Sequence, residues 1–133
     1  MKHITKIPVR FSDTDMLGHV NNSRYFTYME ESRIDFLQTV VANDAGTIPL
    51  IIASAQVHFR AQTFYPQTLK IESWVSRWGN SSFDVTSEMY DEETGTLVFE
   101  GVAVLVHFDY DEQKPSRVPE AYREKLLPYS HEG

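Results

Sequence analysis

The sequence contains no cysteine among its 133 residues. This absence excludes disulfides, thiolate metal sites and a cysteine nucleophile, and it fits a reducing compartment. The chain also lacks a long apolar run, since the longest, Val102–Val106, is far shorter than a membrane span. No apolar segment follows the first residues, so we expect no secretory signal, no membrane association and a cytoplasmic protein.

Basic residues are the minority charge, with 12 Lys and Arg against 19 Asp and Glu and a formal net charge of −7. Nucleic-acid binders normally carry the opposite balance, so we expect no nucleic-acid partner. The sequence has no Gly-x-Ser-x-Gly elbow and no phosphate-binding glycine loop, which leaves a serine hydrolase, a kinase or a dehydrogenase without support. The histidines show no metal-ligand spacing, so neither a metal nor another cofactor is predicted.

What the chain does have is typical of one folded domain, which we expect to span residues 1–133. Hydrophobic residues make up 41% and aromatic residues 13%, which argues against disorder. Apolar residues recur at three- and four-residue spacing from Tyr25 to Val40, which predicts a helix over about Asn22–Val41. Asn21, Asn22 and Ser23 are residue types that favour a helix N-terminus.

Most of the remaining chain shows the two-residue alternation of β-strands. The first strand is predicted around Ile7 and Val9, with Phe11 on the same face. Hairpin-length gaps separate the last three long strands, which indicates an antiparallel sheet and an α+β fold with about five strands and one long helix. The other predicted elements are strands at Ile51–Arg60, Leu69–Val75, Phe83–Met89 and Thr96–Asp109 and a short helix at Pro119–Leu127.

The segment between the first strand and the long helix carries the clearest chemical signal. Asp15 lies a few residues before the predicted helix start at Asn22, and Gly18 between them permits a tight backbone path. The free N–H groups of a helix start polarise a carbonyl and stabilise the oxyanion formed when it is attacked. A neighbouring carboxylate can attack that carbonyl or deprotonate a water that does. The alternative is that Asp15 only caps the helix or a turn.

The segment DTDMLGHVNNSRY, at 13–25, followed by MEESR at 29–33, resembles the hotdog-fold thioesterases of the 4-hydroxybenzoyl-CoA thioesterase type. The FadM- and YbgC-like acyl-CoA thioesterases are its nearest branches. Weaker likenesses follow in the same order along the chain, at FRA (59–61), RWGNSSF (77–83) and the segment 95–120.

The resemblance implies a hotdog fold, in which a curved antiparallel sheet wraps around the long helix. It implies a homodimer or homotetramer whose subunits pair their sheets edge to edge, with active sites at the subunit interface. The implied reaction is hydrolysis of an acyl-CoA, or of an acyl carrier protein thioester, to a free carboxylic acid and the thiol.

The resemblance also implies residue roles. Asp15 corresponds to the family's catalytic carboxylate, and the backbone N–H of Asn22 corresponds to the group that polarises the thioester carbonyl. Some relatives carry His at the latter position, and the Asn in this chain matches the FadM-like branch. Relatives differ in whether this carboxylate forms an anhydride or acts as a general base, so the resemblance allows either role for Asp15.

Other candidate site residues also have simpler structural explanations. His19 is a candidate base, although a lone loop histidine more often packs or donates a hydrogen bond. The candidate substrate-binding residues are Gly18, Tyr25, Arg60 and Arg77, of which the arginines would meet CoA phosphates and Tyr25 would either line an acyl pocket or pack in the core. We expect Asp13 to be structural, as the centre of an Asx turn.

Two other functions are compatible with the sequence. The chain can be a non-catalytic acyl-ligand-binding or structural hotdog protein, although retention of Asp15 and of the segment from Gly18 to Asn22 speaks against a decayed site. It can also be a hydratase or dehydratase on the same fold, but the sequence lacks the His-centred pattern of those enzymes.

Overall fold

The computed structural model describes residues 1–42 and 48–131, which form a six-stranded antiparallel sheet, one long helix and one short helix. The strands are ordered β1-β3-β4-β5-β2 across the sheet, and the short β6 pairs with β5. In chain order the elements are β1 (His3–Pro8), a 3₁₀ turn (Phe11–Asp13), α1 (Asn22–Val40), β2 (Leu50–Phe59), β3 (Thr68–Trp78), β4 (Ser82–Asp91), β5 (Leu97–Asp109), β6 (Lys114–Pro115), α2 (Glu120–Leu126) and a second 3₁₀ turn (Leu127–Tyr129).

Helix α1 begins where the sequence pattern places it. Asn21 is the N-cap, and its side chain accepts a hydrogen bond from the Ser23 N–H at 3.0 Å. The predicted apolar stripe faces the sheet, with Tyr25, Met29 and Phe36 buried. The helix therefore covers one face of the sheet, and the core lies between them.

Strands β3 and β4 alternate as predicted, and their core-facing residues include Leu69, Ile71, Phe83 and Val85. On β5, Gly101 lies directly under the helix. A Cβ built there would stand 2.9 Å from Met29 Cε and 3.1 Å from Val57 Cγ1, so a glycine at this position lets α1 lie close to the sheet.

The edge strand β2 is exposed over most of its length. It pairs with β5 on one side, and no other strand of the described residues pairs with its second edge. Its apolar side chains Ile51, Ile52 and Phe59 are 37%, 44% and 44% exposed. An unpaired strand edge with exposed apolar residues is a template for pairing with another chain.

The face of the sheet away from α1 carries a row of glutamates. Glu72 stands directly opposite Glu88, and Glu88 directly opposite Glu100, on three neighbouring strands. Lys2 Nζ lies 3.8 Å from both Glu72 and Glu88 and 4.2 Å from the centre of the Trp74 ring. These contacts offset part of the repulsion between like charges on adjacent strands.

Two expectations are refined by the structure. The alternation predicted for the first strand fails at Phe11, which begins a 3₁₀ turn and is 75% exposed, because the chain leaves the sheet after Pro8. The predicted short helix is present as α2, from Glu120 to Leu126, with Pro119 as its N-cap. Within the described part of the chain, neither helix has the length and apolar character needed to cross a membrane.

Candidate active site

The loop between β1 and α1 folds back on itself around Asp15. Oδ1 of Asp15 accepts a hydrogen bond from the Leu17 N–H at 2.9 Å, which makes Asp15 the centre of an Asx turn. Its backbone N–H donates to the carbonyl of His19 at 2.9 Å, and its carbonyl accepts from the Gly18 N–H at 3.1 Å. Gly18 has a φ of +86°, a conformation that favours glycine, so its small size permits the turn.

The end of this loop delivers the chain to the start of α1. The Val20 N–H donates to the carbonyl of Thr63 at 2.7 Å, which ties the loop to the segment that follows β2. Asn22 then occupies the first helical position, where a backbone N–H has no intrahelical acceptor. In residues 1–42 and 48–131 no protein acceptor takes this N–H. It is therefore available to a ligand oxygen, where the helix dipole favours negative charge.

A cleft of about 350 Å³ opens at this helix start. It lies beside the end of the exposed edge strand β2. Its lining residues are His19, Val20, Asn22, Tyr25, Phe59, Arg60, Ala61 and Gln62. The structure thus brings together the predicted residues His19, Asn22, Tyr25 and Arg60.

Asp15 adjoins the cleft through His19 and is not itself in its wall. Its Oδ2 lies 3.6 Å from His19 Nδ1, and its side chain is 31% exposed. The His19 ring is also held by an edge contact with Phe64, with ring centres 6.3 Å apart. One carboxylate oxygen is therefore fixed by the Leu17 N–H, and the other faces the imidazole that lines the cleft.

Tyr25 packs in the core and also lines the cleft. The residue is 2% exposed and its ring stacks on Phe99 with centres 5.4 Å apart, so it belongs to the core. It also lines the cleft, where Phe59 packs against its edge at 5.7 Å. Burial raises the pKa of Tyr25, and its hydroxyl stays protonated and donates to Thr63 Oγ1 at 3.0 Å.

Asp13 is structural, but not in the way predicted, because Asp15 and not Asp13 forms the Asx turn. The Asp13 carboxylate is 1% exposed and accepts hydrogen bonds from Tyr28 Oη at 2.6 Å and from the Arg10 N–H at 3.1 Å. Burial by itself raises the pKa of this carboxyl, but the hydrogen bonds from Tyr28 and Arg10 outweigh burial and lower the pKa below its ordinary value.

The two candidate arginines lie in different places. Arg60 lines the cleft, and its guanidinium is paired with Glu100 at 2.8 Å. Arg77 lies near the C-terminal end of β3 and is paired with Asp84 at 2.9 Å. The motif loop (residues 9–21, between β1 and α1) adjoins the other end of this strand, roughly 30 Å away. The structure of one chain therefore does not bring Arg77 to the cleft, and its role stays a prediction.

Among residues 59–63, the sequence assigned a site role only to Arg60. Phe59, Ala61 and Gln62 line the cleft, and buried Thr63 bonds both Val20 and Tyr25. No periodicity or charge pattern marks these residues, because their role comes from pairing with a loop about 40 positions earlier. Among the described residues, no cluster of three or more His, Asp or Glu side chains is arranged to hold a metal ion.

Comparison with known proteins settles the family. The model of the thioesterase-like superfamily matches residues 9–126, which is most of the chain. The chain belongs to the thioesterase-like superfamily. The match confirms the prediction of a thioester hydrolase, and it includes the motif loop, the start of α1 and the cleft.

Two relatives resemble this chain in sequence over most of its length. Protein YsmA of Bacillus subtilis, which is uncharacterized, is 30% identical over 92% of this chain and 83% of its own length. The long-chain acyl-CoA thioesterase FadM of Escherichia coli is 27% identical over 92% of this chain and 95% of its own.

The solved structures agree with the fold as a whole. A predicted thioesterase from Bacillus stearothermophilus superposes with a TM-score of 0.90 at 25% identity, covering 100% of this chain and 99% of that one. A thioesterase from Thermus thermophilus, complexed with coenzyme A and Zn, superposes with a TM-score of 0.82 at 27% identity, covering 95% and 92%.

Proposed function

We propose that this protein is an acyl-CoA thioesterase formed by a single hotdog domain over residues 1–133. The observation that carries the proposal is the start of α1, where the Asn22 N–H has no acceptor among the described residues and where Asn22 and His19, the neighbour of Asp15, line one cleft. The activity of FadM and the coenzyme A bound to the Thermus thermophilus enzyme support an acyl-CoA substrate.

The proposed chemistry needs two groups acting on one thioester carbonyl. The Asn22 N–H donates to the carbonyl oxygen and stabilises the negative charge that develops there when the carbon is attacked. Acting as a base, Asp15 takes a proton from water while the water oxygen bonds to the carbon. The intermediate then collapses, the carbon–sulfur bond breaks, and the leaving thiolate takes up a proton. The products are a carboxylic acid and CoA.

Asp15 can instead attack the carbonyl carbon itself and expel the thiolate, leaving an anhydride that water then hydrolyses to the acid and the free carboxylate. Rapid acid quenching of the first turnover separates these routes. A peptide that carries the acyl mass on Asp15 identifies the anhydride route. Full release of acid with no acylated peptide at any time point excludes an accumulating anhydride and favours Asp15 as the base.

The other cleft residues have supporting roles in this proposal. His19 stands beside Asp15, with its Nδ1 3.6 Å from Asp15 Oδ2, and forms part of the cleft wall. Gly18 permits the turn that places Asp15, and Tyr25 forms an apolar wall for the acyl group. Arg60 is the basic residue positioned for an anionic group at the cleft rim.

We further propose a homodimer that forms along β2. The cleft adjoins the end of this strand, whose second edge is open, so a second copy paired there would flank the cleft. Mass measurement in solution by light scattering tests this, with Ile52→Lys as the disrupting variant and Ile4→Lys as the control at the opposite edge strand, where Ile4 is 50% exposed. A monomeric wild type contradicts the dimer.

The function is tested by incubating the protein with acyl-CoAs of increasing chain length and with aromatic acyl-CoAs, while free thiol is detected. We expect saturable release of CoA together with the matching acid. Tight binding of an acyl-CoA without release of thiol from any substrate contradicts the enzyme and favours the non-catalytic ligand-binding alternative. Faster turnover of acyl carrier protein thioesters identifies that carrier as the substrate.

A further inference from the structure

We propose that Asp13 and Tyr28 form a positioning pair, which holds the loop that carries Asp15 against the helix whose first amide belongs to Asn22. This inference rests on the proposed function and extends it to two residues that do not line the cleft. Both are buried, with Asp13 1% exposed and Tyr28 fully enclosed, so neither touches the substrate.

The pair connects two elements that are separate in the chain. Asp13 ends the 3₁₀ turn after β1, and Tyr28 lies in the second turn of α1. Tyr28 Oη donates to Asp13 Oδ2 at 2.6 Å, which is short for a hydrogen bond and typical of a charged acceptor.

Asp13 holds the helix a second time through its backbone. Its carbonyl accepts a hydrogen bond from the N–H of Asn21, the N-cap of α1, at 3.0 Å. Asp13 is thus bonded to the N-cap of α1 and again to the second turn of the helix. Asp15 is only two residues further along the chain, so its backbone lies within about 7 Å of this anchor.

The charge state of the pair favours the bond. The hydrogen bonds from Tyr28 and Arg10 keep Asp13 ionised despite its burial. Burial and the neighbouring Asp13 carboxylate raise the pKa of Tyr28 well above its ordinary value, so the phenol keeps its proton and donates. Arg10 Nη2 approaches Asp13 Oδ1 to 3.3 Å, and Arg24 Nε to 3.8 Å.

Because Asp13 keeps its other contacts, the Tyr28 hydroxyl can be removed alone. Tyr28→Phe leaves the aromatic ring in the core and leaves Arg10 paired with the Asp13 carboxylate. The chain is therefore expected to fold, with a loss of stability of the size usual for one buried hydrogen bond. The variant loses one hydrogen bond that holds the loop carrying Asp15. This matters for catalysis because a displacement of a reacting group by about 1 Å lowers a rate on the order of 100-fold.

The test compares Tyr28→Phe with Ser32→Ala, a control on the same helix. Ser32 is fully buried and its hydroxyl donates to the Met29 carbonyl at 2.9 Å, so its removal also costs a buried hydrogen bond, but one remote from the loop. At a temperature where all variants are folded, we expect kcat of Tyr28→Phe to fall on the order of 10- to 100-fold with little change in KM. Ser32→Ala should keep the wild-type kcat.

Hydrogen exchange supplies a second measurement that does not need turnover. We expect the amides of residues 14–21 to exchange faster in Tyr28→Phe and to keep their wild-type rates in Ser32→Ala. Asp13→Asn is the second variant, and in combination with Tyr28→Phe it should lower kcat no further than the larger single effect.

The two proposals fail in different ways. A wild-type protein that hydrolyses no thioester contradicts the proposed function, while the exchange rates still decide whether Tyr28 holds the loop. An active wild type whose kcat and loop exchange are unchanged by Tyr28→Phe overturns the positioning pair and leaves the function intact.

Discussion

Replacing Asp15 by Asn removes the charge of the proposed catalytic carboxylate while preserving its shape. The Asn carbonyl oxygen still accepts the Leu17 N–H now bonded to Oδ1 at 2.9 Å. The amide nitrogen takes the place of Oδ2, 3.6 Å from His19 Nδ1. The Asx turn and the path to Asn22 therefore persist, and the side chain loses only its ability to accept a proton or attack a carbon.

The size of the effect follows from what remains. The Asn22 N–H and the cleft still bind and polarise the thioester, so only the contribution of the carboxylate is lost. A positioned acid or base contributes on the order of 10²- to 10⁴-fold to a rate. We expect kcat to fall by that factor, which corresponds to about 2.7–5.5 kcal/mol in the activation free energy. Because the side chain is partly exposed, the free energy of unfolding should change by less than about 0.5 kcal/mol.

The assay follows thiol release from the best acyl-CoA of the panel, with thermal unfolding recorded for each variant. Asp109→Asn is the matched control, since Asp109 Oδ1 also accepts backbone N–H bonds, from Asp111 at 3.0 Å and from Glu112 at 3.1 Å, in an exposed turn after β5. An Asp15→Asn enzyme that keeps most of its kcat, or an equal loss in Asp109→Asn, refutes the assignment of Asp15.

Further predictions concern two glycines, two arginines and a histidine. Gly18 and Gly95 both have a positive φ and open space where a Cβ would stand, so Gly18→Ala and Gly95→Ala should each lower the free energy of unfolding by about 1–2 kcal/mol, measured by thermal or urea unfolding. Only Gly18→Ala should lower kcat, and equal kcat values in the two variants contradict the role of the Asp15 turn. Arg60→Ala should raise KM for acyl-CoA severalfold. Arg77→Ala tests whether the far end of β3 also contacts the substrate, and an unchanged KM in this variant shows that Arg77 is not part of the site. Burial lowers the pKa of His107 below its ordinary 6.5, with the nearby Asp109 charge opposing this only in part. His107 therefore binds a proton more readily in the unfolded chain than in the folded one. The stability that His107 contributes is present above pH 6.5 and is lost as the pH falls through its lower pKa in the folded state. Urea unfolding between pH 7.5 and pH 5 should show a smaller decline for His107→Gln than for the wild type, and an equal decline contradicts the assignment.

Local signals in the sequence were sufficient for the main elements. The change from two-residue to four-residue spacing near Asn22 predicted α1 to within a residue at its end, because an amphipathic helix must turn one apolar stripe to the sheet. The alternation in β3 and β4 predicted which residues are buried, since one face of each strand meets the core.

Features that depend on contacts between distant segments were not predictable in this way. Phe11 continues the alternation of β1, yet the chain leaves the sheet before it, and nothing local marks that exit. The Asx turn was assigned to Asp13 because its residue type suits both positions. Which carboxylate meets Tyr28 is decided by how the loop packs on α1, and this is a property of the folded chain.

The glutamate row on the outer face of the sheet restricts how copies of this chain can associate. Stacking two sheets over this face would bury Glu72, Glu88 and Glu100 together with the ion pairs that Lys2 and Arg60 form with them, and taking ion pairs out of water is costly. Growth of an assembly through strand edges leaves each row within its own subunit. The dimer proposed along β2 avoids this cost, because it leaves the glutamate row in contact with water.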